Sequence, residues 1–127
     1  MVATKLAKSG MALMITPTGS RLFPGYAVIG SGSGAEVDTR TGLTYSLLSR
    51  KYSSFTTAIE GEVEYTYDYT VTDVSGITVK EFGSHTTSGL ISGVHQGDIW
   101  NLESINSNPI EFDGSNELQL QLVWEFV

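Results

Sequence analysis

The chain has 127 residues, 40% hydrophobic and 17% charged, with a net charge of −7 and no cysteine. That length suits one domain able to bury about two-thirds of its unfolded surface, and the balance excludes a disordered polymer. Without cysteine, a disulfide framework and a thiolate metal site are both excluded.

The charge is unevenly spread. Residues 1–58 hold six cations (Lys5, Lys8, Arg21, Arg40, Arg50, Lys51) against Glu36 and Asp38, a net +4. Residues 59–127 hold Lys80 against twelve carboxylates, a net −11. Such halves attract each other within one molecule or between neighbours, with a strength that falls with salt. An acidic sheet argues against nucleic acid as the main ligand.

The earliest apolar run, Met11 to Ile15, is too short for a secretory signal or a membrane span. The expectation is a mature chain that begins at Met1 and folds in a cytoplasm, with no membrane partner. Residues 1–23 alternate poorly and are interrupted by Gly10, Pro17 and Gly19, with Pro24 following. They read as an extended N-terminal arm with one short strand near Met11–Ile15. Val2, Leu6 and Leu13 hint at a short helix, against which Gly10 counts. The arm is either tucked over the core, laid on a neighbour, or a frayed terminus. Its candidate subunit or particle contacts are Val2, Lys5, Leu6, Lys8, Met11, Leu13 and Arg21.

Residues 24–127 read as a single β-sandwich domain. Tyr26 to Ile29 form a short strand, followed by the glycine run Gly30-Ser31-Gly32-Ser33-Gly34-Ala35. Formally, Gly30, Gly32 and Ala35 match a dinucleotide fingerprint, but that mechanism needs a long helix inside a βαβ unit. Only Leu43, Leu47 and Leu48 hint at a helix here, about two turns long. No Lys-Ser/Thr pair closes a phosphate loop either, so a tight glycine loop is expected.

Arg50 to Ile59 read as a strand. The clearest element follows: Val63, Tyr65, Tyr67, Tyr69 and Val71 alternate with Glu62, Glu64, Thr66, Asp68 and Thr70. Strict period-two alternation marks a half-buried strand of a sheet with one wet face. The turn signal Asp73-Val74-Ser75-Gly76, with Ile77 and Val79 beyond it, reads as the return of a hairpin. Residues 83–89 read as a polar loop. A further strand is expected at Leu90–Val94, and Ile99, Trp100, Leu102 and Ile105 form a further apolar segment before the final strand. The last is nearly ideal, with Leu118, Leu120, Leu122, Trp124 and Phe126 on one face and Gln119, Gln121 and Glu125 on the other. It is expected to leave the C-terminus in the sheet, with no second domain. The expected core is Tyr65, Tyr67, Tyr69, Val71, Ile77, Val79, Leu118, Leu120, Leu122 and Trp124.

Chemistry-bearing patterns are weak. His85 and His95, near Glu81 and Asp98, lack the converging spacing of a metal site. Ser92, His95 and Asp98 sit on one short segment and cannot converge as a triad. No nucleophile elbow is present. The tyrosines of the alternating strand offer rings for stacking sugars or bases, but their alternation with valine favours a core. The expectation is no enzyme and no cofactor.

Three stretches carry a resemblance. They are Tyr26-Ala27-Val28-Ile29-Gly30-Ser31-Gly32-Ser33-Gly34, then Thr41-Gly42-Leu43 with Arg50, then Gly76-Ile77-Thr78-Val79-Lys80-Glu81-Phe82-Gly83. Together with a closing strand ending near Trp124, they resemble phage virion proteins, in particular the N-terminal attachment domain of tail-collar fibre proteins and small stand-alone structural proteins. The chain departs from that pattern at Ser46-Leu47 and Ser84-His85. The strand patterns predict an all-β, antiparallel, jelly-roll-like sandwich, and the resemblance implies no catalysis, no cofactor, and a role in building the particle. Location is then the virion, reached through the host cytoplasm. The expected partners are the chain itself, as a homo-oligomer with a trimer favoured, and a major capsid or tail protein. Capsid decoration is the leading role and fibre anchoring in the tail or neck the next. A carbohydrate-binding module using the tyrosines is the reading from another class.

Overall fold

The computed structural model describes residues 2–14, 23–40, 42–57, 61–86 and 99–125. Among the described residues, strands dominate and all pairings are antiparallel; the two helices have 10 and 4 residues. The fold is all-β.

Two sheets form the body. The larger has the order β1 (Val2–Ala3), β8 (Ile99–Ser104), β7 (Glu81–His85), β2 (Tyr26–Gly30), β3 (Ser46–Lys51). The smaller has the order β10 (Leu118–Glu125), β5 (Glu62–Tyr69), β4 (Ser54–Thr56). A two-stranded piece pairs β6 (Thr78–Val79) with β9 (Ile110–Glu111).

Between the main sheets lies the principal core: Ala27 and Ile29 from β2 meet Tyr67 and Tyr69 from β5 and Leu122 from β10, joined by Val74, Val79 and Phe112. In the β5–β10 ladder Tyr69 faces Leu118, Tyr67 faces Leu120 and Tyr65 faces Leu122, so period-two alternation on both strands delivers one apolar face. The tyrosine hydroxyls cross to the opposite sheet. Tyr67 Oη donates to the Pro24 carbonyl, and Tyr69 Oη to the Leu48 carbonyl at 3.3 Å. Burial pushes both phenols well above their ordinary range.

The larger sheet is covered on its other face too, where Val28, Leu43, Ile99 and Leu102 form a second core. That explains why β2, β7 and β8 show near-continuous burial instead of alternation.

Several sequence expectations are corrected. Residues near Met11 form no strand; they lie in helix α1, Lys5–Met14. Thr4 caps it: its Oγ1 accepts from Ala7 N at 3.1 Å and donates to the Ile99 carbonyl at 2.6 Å, while Thr4 N bonds Trp100 O at 2.8 Å. The cap and the burial of Ala7 outweigh the roughly 1 kcal/mol cost of Gly10 inside the helix. The arm is therefore stitched to β8 along β1, where Val2 pairs with Leu102.

The helix hinted at by Leu43, Leu47 and Leu48 is absent, because Ser46–Lys51 forms β3 on β2; a short apolar run fits either period. The single strand from Arg50 to Ile59 is instead broken at Tyr52-Ser53. There Tyr52 N bonds Gly25 O of the larger sheet's side and Ser53 N bonds Thr66 O of the smaller, so the chain changes sheets. Ile59 lies outside the described residues.

The central hairpin does not form. After β5, Thr70 opens a capping box with Asp73, using Thr70 N to Asp73 Oδ2 at 2.8 Å and Asp73 N to Thr70 Oγ1 at 3.2 Å, and α2 (Val71–Val74) follows. The chain leaves it through Gly76 at φ +75°, and β6 pairs with β9 rather than β5. Val71, on the helix, is 37% exposed and is not core. Of the polar loop expected over residues 83–89, Gly83 to His85 belong instead to β7, and residues 87–89 lie outside the described residues. Leu90–Val94 and Phe126 lie outside the described residues.

Candidate functional site

The glycine run of residues 30–34 packs over a buried charge. Glu81 has no solvent exposure. Its Oε1 accepts from Tyr45 N at 2.9 Å, and its Oε2 lies 3.9 Å from Arg40 Nη2 with no hydrogen bond of its own. A Cβ on Gly32 would stand 2.6 Å from Glu81 Oε1 and 2.7 Å from Tyr45 N, and one on Gly34 would strike the Arg40 guanidinium. Glycine is required there because backbone and side chain approach too closely for anything larger.

Arg40 holds the loop's far side. It donates to Ala35 O at 3.0 Å, to Gly42 O at 2.8 and 3.2 Å, and to Thr44 Oγ1 at 3.0 Å. Ser31 N to Tyr45 O and Lys80 N to Gly30 O close the unit. Its loop thus presents no free phosphate cradle: the space a ligand anion would need is filled by a carboxylate.

His85 is also fully buried. Its Nε2 sits 2.9 Å from Ser49 Oγ, and its ring stacks on Tyr26 at 5.5 Å. Ser49 is 4% exposed, so this serine–histidine pair has no substrate access. Ser92, His95 and Asp98 lie outside the described residues. Among the described residues no group of three or more His, Asp or Glu is placed to hold a metal ion.

The surfaces are more informative. Of the candidate arm contacts, Lys5, Leu6 and Lys8 are exposed on α1, and Lys8 Nζ pairs with Asp38 Oδ2 of the same chain at 3.7 Å. Met11 is half-buried and, with Phe23, Pro24, Val63, Tyr65, Trp100 and Trp124, lines an apolar recess of about 100 Å³. Val2 is committed to the β8 ladder through its backbone. Leu13 lies in α1, and Arg21 lies outside the described residues. The structure therefore groups Lys5, Leu6 and Lys8 on one exposed turn and places Val2 and Met11 against the body.

On the other side of the smaller sheet, β4 is the last strand among the described residues. Phe55 is 59% exposed and Phe23 47%. Phe55 packs against Tyr52 at 5.9 Å and Tyr65 at 6.1 Å, and Phe23 stacks on Tyr65 at 6.4 Å. The outer face of the same sheet is acidic: Glu62 opposes Glu125, and Glu64 opposes Val123. Asp68 accepts from Gln119 Nε2 at 2.9 Å, and hydrogen bonds from Ser53 and then Gln119 hold its carboxyl below the usual range.

Sequence reasoning missed the Glu81–Arg40 pair and the exposed rings of Phe23 and Phe55. The signal for the first was present in the spacing of Gly30, Gly32 and Gly34, which marks a close approach. No protein-family model matches the chain, and no curated protein matches it in sequence.

Proposed function

We propose that this chain is a non-enzymatic structural protein of a phage virion, a capsid decoration or cement protein that docks through its N-terminal segment and sheet edges and self-associates. The observation that carries the reading is the fate of the motif behind the resemblance. Gly30 and Gly32 pack closely on Glu81, and Gly34 on the Arg40 that pairs with it, so the motif serves architecture. The exposed features, by contrast, suit contact: Lys5, Leu6 and Lys8 on α1, and the exposed rings of Phe23 and Phe55.

A tail or neck component that anchors a fibre uses the same features and is separated from decoration by where the protein sits. A carbohydrate-binding module is favoured only by the exposed rings of Phe23 and Phe55; binding on a glycan array that disappears in Phe55→Ala supports it.

The direct test is rebinding of purified protein to particles stripped of it. Wild type is expected to rebind, and Lys5→Glu/Lys8→Glu to lose binding in a salt-dependent manner while keeping its circular dichroism. Equal rebinding by both removes α1 from the docking surface, and absence of rebinding by wild type counts against the virion role.

A further inference from the structure

Residues 31–40 leave β2 without pairing with any strand among the described residues, yet their burial alternates. Gly32, Gly34, Glu36, Asp38 and Arg40 are buried or half-buried, and Ser33, Ala35, Val37 and Thr39 are exposed. The three inward charges each meet a different element. Glu36 Oε1 accepts from Ser104 N, at the end of β8, at 2.6 Å. Asp38 lies against the start of α1: its carbonyl accepts from Lys5 N at 2.8 Å, and its Oδ2 is 3.7 Å from Lys8 Nζ. Arg40 reaches buried Glu81 of β7 at 3.9 Å. It also closes the turn that carries Asp38, with its N on Val37 O at 3.2 Å and its Nη1 on Ala35 O at 3.0 Å.

α1 lacks what this segment supplies. A helix of 10 residues that contains Gly10 is marginal in water on its own, and its first turn holds no acidic residue to meet the positive end of its dipole. Its first N–H groups need partners from outside the helix. Thr4 Oγ1 takes the one from Ala7, and the Asp38 carbonyl takes the one from Lys5. The Asp38 carboxylate brings to the same end the negative charge that the helix's own first turn omits.

We propose that residues 31–40 are a strap that latches α1 onto the body through Asp38, with Glu36 and Arg40 as its fastenings on either side. α1 then opens and melts as a unit of its own, at a lower free energy than global unfolding, and the hold of Arg40 on Glu81 sets how often it does so. The device belongs to the folded chain and stands whether or not the chain is part of a particle.

Amide hydrogen exchange of the full chain, read by mass spectrometry, compares peptides covering residues 5–14 with peptides covering 62–69 and 118–125. In wild type, α1 is expected to exchange faster than β5 and β10. Gly34 has no positive φ, so alanine fits the backbone there, but its methyl would strike the Arg40 guanidinium and the Thr44 hydroxyl and push the strap off its fastening. Asp38→Lys leaves both sheets untouched and reverses the charge at the start of α1; the Asp38 side chain is 39% exposed. Gly34→Ala and Asp38→Lys are each expected to speed exchange in α1 by at least about threefold, the effect of one lost cap contact or one dipole charge, with β5 and β10 unchanged. Thr39→Ala, on the exposed row, is expected to change neither. Wild-type exchange in α1 as slow as in the strands, no rise in α1 in either variant, or a rise in Asp38→Lys that the strands share equally overturns the inference.

Discussion

Replacing Arg40 with alanine isolates the energetics of the buried pair beneath the glycine loop. Glu81 is fully buried, and Arg40 is the sole cation paired with it among the described residues. Removing one partner of a buried ion pair costs about 3–5 kcal/mol, because a charge stays behind without compensation. Two facts place the expected loss at the low end of that range. The Arg40 side chain retains 19% exposure, and the N–O separation of 3.9 Å exceeds a hydrogen bond. Arg40→Ala also releases its bonds to Ala35, Gly42 and Thr44, which are partly or fully solvent-exposed and add little. A loss of about 3 kcal/mol is expected.

Glu81→Gln behaves differently. The amide oxygen still accepts from Tyr45 N, and Arg40 keeps its carbonyl partners, so about 1 kcal/mol is expected. The double variant should be less destabilised than the sum of the two, since neither charge remains. Urea unfolding followed by Trp100 and Trp124 fluorescence reads all three, with unchanged m-values as the check on two-state behaviour. A cost below about 0.5 kcal/mol for Arg40→Ala, or strict additivity, would refute the account of the loop as a cover for a compensated charge.

Other expectations follow from the core and its ends. Leu122 is 5% exposed between the sheets, so Leu122→Ala should cost about 2–5 kcal/mol in the same assay. Thr70→Ala removes half of the capping box before α2 and should cost about 1 kcal/mol, with no change in the strand signal of circular dichroism. Tyr67 and Tyr69 hold their protons more tightly in the folded chain than in the unfolded one, mainly through burial. Their stabilisation is complete below the unfolded value near 10 and falls as pH rises above it, by about 1.4 kcal/mol per pH unit for each. Alkaline unfolding should therefore begin near pH 10 and shift upward in Tyr67→Phe; an unshifted midpoint would mean that the phenol ionises without unfolding.

Legibility in the sequence followed exposure. β5 and β10 each keep one wet face, so Glu62, Asp68, Gln119 and Gln121 punctuate the apolar residues and reveal the period. Strands β2, β7 and β8 are covered on both sides; with no alternation to read, the segment from Gly83 to His85 looked like a loop. The Asp73-to-Gly76 turn signal was real, but the capping box of Thr70 and Asp73 used it to end a helix instead of closing a hairpin. α1 was obscured because Gly10 interrupts it and, among the helix residues whose burial is described, only small Ala7 and half-buried Met11 turn inward. Glu81 read as an ordinary solvated charge between Lys80 and Phe82, since nothing local announces that Arg40 and a glycine loop will close over it.

The central claim, a structural part of a virion that decorates its shell, is tested most directly by locating this chain in density maps of the intact particle. The account predicts many symmetry-related copies on the capsid lattice, oriented with Lys5, Leu6 and Lys8 of α1 against the shell. Absence of the chain from purified particles would contradict it, and copies confined to the tail or neck would transfer the role to fibre anchoring.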